Sequence, residues 1–540
     1  MKSIQRSLFF TAFWIIVLTL ISSNTFGQEG YKEWKEDYLN EFKKFQNEYD
    51  KQFHEMLKKE WKQFSVEVSP DFYEKPKPDV IPTTEGKDND PEPETKIRLE
   101  QPKEKSGETK SNLQKEQVPK QEDDQKVDES SNQAANETES TPAQDANTAT
   151  SLTEKGLTPS FEPNVEEASV KTNRLSYFDI PIHYKYYAAY EKRVNRPVVQ
   201  ESITNFWKHL STKDYPPFLD QIEEVRARLS LNDYGYAQLL QNIGEQIYGI
   251  GTPEATLFTW FMLTQSGFGT RVAYNDENVY LLTKTTPDVF KTTYFMIDGE
   301  KYYGINFSKS TSKLPSNLFT YEGDYPKSDS RDLSLLFSRL PMLPEKQESR
   351  TLSFSYHDTS YTFSVPVDQQ VVRYFKSYPK AQLDLYFNSR MRGEMHQELM
   401  NSLRPLIKGK SNVEKANILL RFVQKAFDYE TDQKQFNTEK KMFPAEALYY
   451  PANDCDDRSI LFAYLIEHLT DLEYIVLRYP GHLTPALHFP SNPPSGSEVG
   501  PPVQHDGKNY YVSDPTYFGA DAGMIMSQYQ DSQPSEIFDL

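Results

Sequence analysis

The stretch Asn453-Asp454-Cys455-Asp456-Asp457-Arg458-Ser459, continued by Ile460-Leu461-Phe462-Ala463-Tyr464-Leu465-Ile466-Glu467-His468-Leu469, decides how the C-terminal part of this chain is read. Ile460, Leu461, Tyr464, Leu465 and Leu469 recur at helical spacing. A buried helix therefore has Cys455 in its first turn, with Asp454 as its N-cap. A helix start offers free backbone N–H groups and a positive dipole end. Both favour a thiolate, and both give a developing oxyanion a place to bind. Asp456 and Asp457 act the other way, because neighbouring carboxylates raise a thiol's pKa. An imidazolium close by would offset them.

Two downstream residues supply the missing roles. His482 follows the strand-like Tyr474-Ile475-Val476-Leu477 and a Pro480-Gly481 turn. Asp514 ends the strand Tyr510-Tyr511-Val512 and precedes Pro515-Thr516-Tyr517. A nucleophile on a helix start, a base on one strand and an orienting carboxylate on the next are the three parts acyl transfer needs. His488, on the same strand face, is a rival base. His482 is preferred because it follows a glycine, where the backbone leaves room for a substrate.

Cys455 is the only cysteine in the chain, so no internal disulfide is open to it. That matters because the N-terminus reads as an export signal. Lys2 and Arg6 precede the apolar run Leu8 to Ile21, and Thr25-Phe26-Gly27 offers a cleavage site before Gln28. The run is shorter than the ~20 residues of a membrane span, and no cysteine follows it to take a lipid. Residues 1–27 are read as a signal peptide and the mature chain as secreted or periplasmic, with no membrane span. An unpaired cysteine in an oxidising compartment calls for a reason.

The rest of the chain divides by composition. Residues 28–66, and most clearly 30–66, read as an amphipathic helix. Tyr31, Trp34, Tyr38, Phe42, Phe45, Tyr49, Phe53 and Met56 form a stripe that Trp61 and Phe64 continue. Such a stripe packs against the protein's own body, a partner or a second copy of the chain by self-association. Its polar faces mix both charge signs, which counts against a membrane surface. Residues 67–172 are rich in Pro, Glu, Lys and Gln, with no aromatic between Tyr73 and Phe161 in a chain that is 14% aromatic. That composition predicts a disordered linker. The folded mass is α+β: 173–314, a β-rich segment 315–390 containing a hairpin around a His357-Asp358-Thr359 turn, 391–530, and a tail 531–540.

The regions on either side of that β-rich segment line up in three blocks. Leu239 to Ile243 matches Leu419 to Val423, Thr256 to Trp260 matches Ile460 to Tyr464, and Asp298 to Asn306 matches Asp506 to Asp514. A duplicated domain is the expectation, with the first copy over about residues 204 to 308.

The span from Asn417 to Gly523 resembles the transglutaminase-like (papain-like) superfamily. It is most similar to exported bacterial members with a D-C-x-D-R-[SA] helix, a later G-H strand and a closing Y-Y-V-x-D-P-T-Y strand. The resemblance implies Cys455 as nucleophile, His482 as base and Asp514 as orienting acid, in the family's chain order. It implies a residue upstream of the cysteine that helps the oxyanion, for which Gln424, Tyr449 and Tyr450 are candidates. It also implies a dead first copy, with Gly251 at the cysteine position and Asn306 at the aspartate position. Thr484-Pro485 departs from the family's apolar strand, and proline there predicts an edge or bulged strand.

These residues lead to an enzyme acting on peptide or glutamine side-chain amides of a protein or peptide substrate, through a thioester and with no cofactor. The competing reading is a non-catalytic binding scaffold of the same modules. A metal site at Asp454, Asp456 and Asp457 is weaker, since adjacent acids at a helix start are ordinary caps and no calcium-loop spacing is present. The formal net charge of −19, without a basic block, argues against nucleic acid as partner.

Overall fold

The computed structural model describes residues 48–59, 61–72, 76–84, 156–163, 169–308, 314–326 and 330–540, and the backbone of 95–98. The expected signal peptide 1–27, the first part of the aromatic helix and the middle of the linker lie outside the described residues. Among those described, no helix is long and apolar enough to cross a membrane.

Helix α1 (48–57) carries the end of the aromatic stripe and docks on the protein's own body. Phe53 and Leu57 are buried. The Phe53 ring meets Trp207 at 4.6 Å between centroids and also touches Trp260, Tyr321 and Tyr325. The helix stops short of the expected residue 66. Strands β1 (Lys62–Ser65) and β2 (Glu67–Val68) follow instead. Phe64, Val66 and Val68 alternate with polar residues, and this two-residue period wins once a neighbouring sheet edge is available.

The linker reading also needs correction at both ends. Residues 76–84 lie against the C-terminal region, and Thr95–Arg98 pairs in parallel with a later strand. Leu157 is buried, and its N–H donates to the Pro181 carbonyl. The hairpin Val170–Tyr177 with Ile180–Tyr187 starts inside the supposed linker. Composition asks whether a segment can build its own core. Here a few anchors, Phe72 and Leu157 among them, settle into a surface that the folded regions already provide.

Helix α2 (Asp233–Tyr248) packs on α3 (Pro253–Gln265), which lies on the first sheet. Its further strands are β3 (Thr270–Tyr274), β4 (Val279–Thr283), β5 (Thr293–Ile297), β6 (Glu300–Tyr303) and β7 (Asn317–Thr320), in the order β1-β7-β3-β4-β6-β5-β2. The expected hairpin is formed by β8 (Gln347–Tyr356) and β9 (Thr359–Asp368), with a turn of only His357-Asp358, since Thr359 already pairs with Tyr356. It packs on α4 (Asn412–Lys425), with the rings of Phe354 and Phe363 both against Phe422.

The second sheet lies beside α5 (Cys455–Leu469). It contains β10 (Glu473–Tyr479), β11 (His482–His488), β12 (Val503–His505), β13 (Lys508–Val512) and β14 (Glu536–Phe538), in the order β12-β13-β11-β10-β14. The expected tail 531–540 thus supplies an edge strand. Strand β11 is central, contrary to the edge position that Pro485 suggested. Its ladder with β13 begins at Ala486 opposite Val512, and Pro485 extends that side only as an acceptor, its carbonyl taking a hydrogen bond from Ser513 N at 2.9 Å.

The two sheets share a connectivity. The run β7-β3-β4-β6-β5 corresponds strand for strand to β14-β10-β11-β13-β12, and a long helix comes directly before β3 (α3) and before β10 (α5). Even the hairpin turns agree. Asp298-Gly299 and Asp506-Gly507 both take positive φ at both positions, as a tight two-residue hairpin turn demands.

Candidate active site

Cys455 opens α5. Asp454 is the N-cap, accepting from Asp456 N at 3.1 Å, while the Asp457 carboxylate accepts from Asp454 N at 3.2 Å and from Met442 N at 2.7 Å. Two of the three acids are therefore caps, as expected. Arg458 fastens the loops around them. Fully buried, it donates to the carbonyls of Asn453, Gln424 and Phe427. Ser459 Oγ then ties the helix to β11 by donating to the Leu483 carbonyl at 2.9 Å.

That tie brings β11 against the thiol. His482 heads the strand directly after Gly481, whose φ of +73° permits the tight turn from β10. His482 Nε2 lies 2.7 Å from Asp514 Oδ2, and both residues are buried. A carboxylate at Nε2 keeps the ring proton there and leaves a lone pair on Nδ1. Nδ1 is buried without a hydrogen-bond partner. The Tyr529 ring covers the imidazole, nearly parallel at 5.5 Å, with its hydroxyl on the Pro480 carbonyl.

The thiol itself is fully buried. It donates to Asp456 Oδ1 at 3.5 Å and makes no hydrogen bond to His482. Burial first, then the charges of Asp456 and Asp454, push its pKa well above that of a free cysteine; Lys77 and a backbone hydrogen bond from Leu483 act in the opposite direction. The structure thus places a buried thiol, its pKa pushed up, on the helix start against which the His482 strand lies.

Not every expected residue falls in this group. Gln424 is buried, but its amide is committed elsewhere. Nε2 lies 3.0–3.3 Å from the carbonyls of Asp514, Tyr517 and Ala520, and Oε1 accepts from Arg421 at 2.8 Å. It braces the loop after Asp514 and has no N–H left for an oxyanion. Tyr449 and Tyr450 pack on each other, and Tyr450 on Phe436. No hydrogen bond joins either to Cys455, His482 or Asp514. His488 ends β11, about 20 Å from His482 at the usual strand rise, and faces the Asn509 carbonyl.

One part of the site was not visible in the sequence. Lys77, from the supposed linker, places its ammonium among Asp454 (2.6 Å), Glu439 (2.6 Å), Asp432 (3.1 Å) and Asp456 (3.2 Å). Its side chain is 4% exposed. Burial opposes its charge, but Asp454, Asp456 and Asp432 hold the ammonium pKa well above the ordinary value. The possible ligand atoms of Asp454, Cys455 and Asp456 lie within 4.8 Å of one another, as do those of Asp432, Asp454 and Asp457. The position a cation would take between Asp454, Asp456 and Asp432 is held by the lysine.

Comparison with protein-family models, with curated proteins and with solved structures finds no match for this chain.

Proposed function

We propose that the protein is an exported, transglutaminase-like cysteine enzyme that cleaves or transfers amide acyl groups of a protein or peptide substrate. One observation carries the reading. His482 is held by Asp514 at 2.7 Å with Nδ1 left open, on the strand that lies against the helix start bearing Cys455. In the proposed reaction Nδ1 takes the Sγ proton and the thiolate attacks the amide carbonyl carbon. The collapsing tetrahedral intermediate expels the amine, which receives the proton from His482, and a thioester remains. Water or a second amine then attacks the thioester, His482 again accepting a proton, and free Cys455 is restored. Backbone N–H groups in the first turn of α5 are the donors suited to the oxyanion, since Gln424 is occupied.

The region 204–308 fits a degenerate copy of the same domain. Gly251 stands at the cysteine position, Val279 heads β4 as His482 heads β11, and Asn306 aligns with Asp514. These residues surround a small cavity of about 50 Å³. Without thiol or imidazole it has no route to a thioester, and its proposed role is to pack against and shape the active copy.

A second reading, a binding scaffold, is favoured by the burial of Cys455 and by its hydrogen bond to Asp456 in place of His482. An amide-mimicking thiol probe separates the two. On the enzyme reading it labels Cys455, and the labelling is lost in His482→Ala. Equal labelling of both proteins would remove the case for a working triad.

A further inference from the structure

The nucleophile proposed above is fully buried, so no substrate reaches it in this arrangement. Residues 76–84 lie across both ends of the site. At one end Lys77 sits in the ring of four carboxylates, two of which belong to the residues flanking Cys455. In the middle the Tyr429 hydroxyl donates to the Pro78 carbonyl at 2.7 Å. At the other end Thr84 N donates to the Phe518 carbonyl at 3.0 Å and Phe518 N to the Pro82 carbonyl at 2.8 Å. Phe518 stands four residues after Asp514. The following Gly519 is approached so closely that a Cβ there would lie 2.7 Å from Thr84 Oγ1.

The way this segment is held differs from the rest of the domain. It forms no ladder, only the single bridge of Thr83 with Phe518. Three of its nine residues are proline (Pro76, Pro78 and Pro82), which lack N–H groups and favour extended, separately standing chain. Segments with few backbone hydrogen bonds open at lower free energy than laddered strands. Its main hold is one ammonium in a ring of carboxylates, a contact made by a single side chain and lost all at once.

We propose that residues 76–84 are a self-inhibiting strap: with Lys77 pinned in the carboxylate ring they close the Cys455–His482–Asp514 site, and the site opens when the strap lifts. The consequence for catalysis rests on the function proposed above; the closure itself does not.

The test is the rate of Cys455 alkylation by iodoacetamide in the full-length chain, followed across pH. The high-pH plateau reports access to the thiolate, and the midpoint reports ionisation, so the loss of a nearby charge is not mistaken for opening. Lys77→Glu, repelled by the ring, is expected to raise the plateau by about tenfold or more, while Lys77→Arg leaves it near wild type. The double variant Pro78→Gly/Pro82→Gly loosens the strap without touching the ring, and it should raise the plateau even if Lys77→Glu fails to fold. An unchanged plateau in folded Lys77→Glu or in the proline variant overturns the proposal. So does a rise confined to Tyr529→Ala, which would place the cover over His482 instead. A raised plateau with no amide turnover in any variant would keep the strap and remove the enzyme reading alone.

Discussion

His482 Nε2 and Asp514 Oδ2 stand 2.7 Å apart, and the other oxygen of Asp514 accepts from Thr516 N at 2.8 Å and Tyr517 N at 3.3 Å. The orienting acid is thus itself oriented by the backbone that follows it. Asp514→Asn keeps the shape but presents an amide whose N–H₂ competes with the imidazole N–H, reversing the tautomer preference. On the proposed chemistry, amide turnover should fall by about 10²–10⁴-fold with little change in melting temperature. Steady-state kinetics on a folded variant checks this, and unaltered turnover would show that the pair is structural.

Asp456 bears on the thiol from 3.5 Å. Its negative charge opposes formation of a second one, after burial the largest contribution to the raised thiol pKa. Asp456→Asn should therefore move the midpoint of Cys455 alkylation to lower pH. The direction is the informative part. A midpoint that stays or rises would mean that the carboxylate is not charged beside the thiol.

Gln424 separates bracing from catalysis. Gln424→Leu removes the hydrogen bonds to the carbonyls of Asp514, Tyr517 and Ala520 while keeping the side-chain volume. Leaving those buried carbonyls without donors should cost about 1–3 kcal/mol in urea unfolding. Turnover well below the melting temperature should change less than the about 10²–10³-fold that loss of an oxyanion donor brings. A loss of that larger size with stability intact would restore Gln424 as an oxyanion residue.

What the sequence carried legibly was periodic or local. The helix at Cys455 rests on Ile460, Leu461, Tyr464, Leu465 and Leu469, and the capping on Asp454; both are found where spacing puts them. The two Asp-Gly turns and the order of blocks around them led to the expectation of a duplicated domain, and the two sheets that carry those turns share a connectivity. The meeting of His482 with Asp514 was legible only as a pattern, because the two stand thirty-two residues apart across strand and loop. Lys77 was not legible at all. Its partners lie more than three hundred and fifty residues away, and its neighbours Pro76 and Pro78 read as tether. Composition reports what a segment can do alone, whereas Lys77 is placed by carboxylates that another part of the chain has already assembled. Gln424 shows the converse: the sequence put a polar residue upstream of the cysteine, but only the loop after Asp514 decides which groups that amide serves.

Asp50, on α1, tests how firmly the N-terminal helix belongs to the body. Its carboxylate accepts from Gln265 Nε2 at 2.7 Å and from the hydroxyls of Tyr325 at 3.0 Å and Tyr215 at 3.3 Å. Burial nevertheless outweighs these bonds and raises its pKa from 3.8 to about 6. The folded state thus holds this proton more tightly than the unfolded chain does. The associated stabilisation is fully present below the unfolded pKa near 4 and is lost as pH rises through about 6. A shift of that size corresponds to about 3 kcal/mol. Asp50→Asn carries no titrating group, so the stability of wild type relative to the variant should fall by roughly that amount between pH 4 and pH 7. Urea unfolding at a series of pH values measures it. Parallel curves for the two proteins would mean that Asp50 is hydrated and that α1 is not docked through this carboxylate.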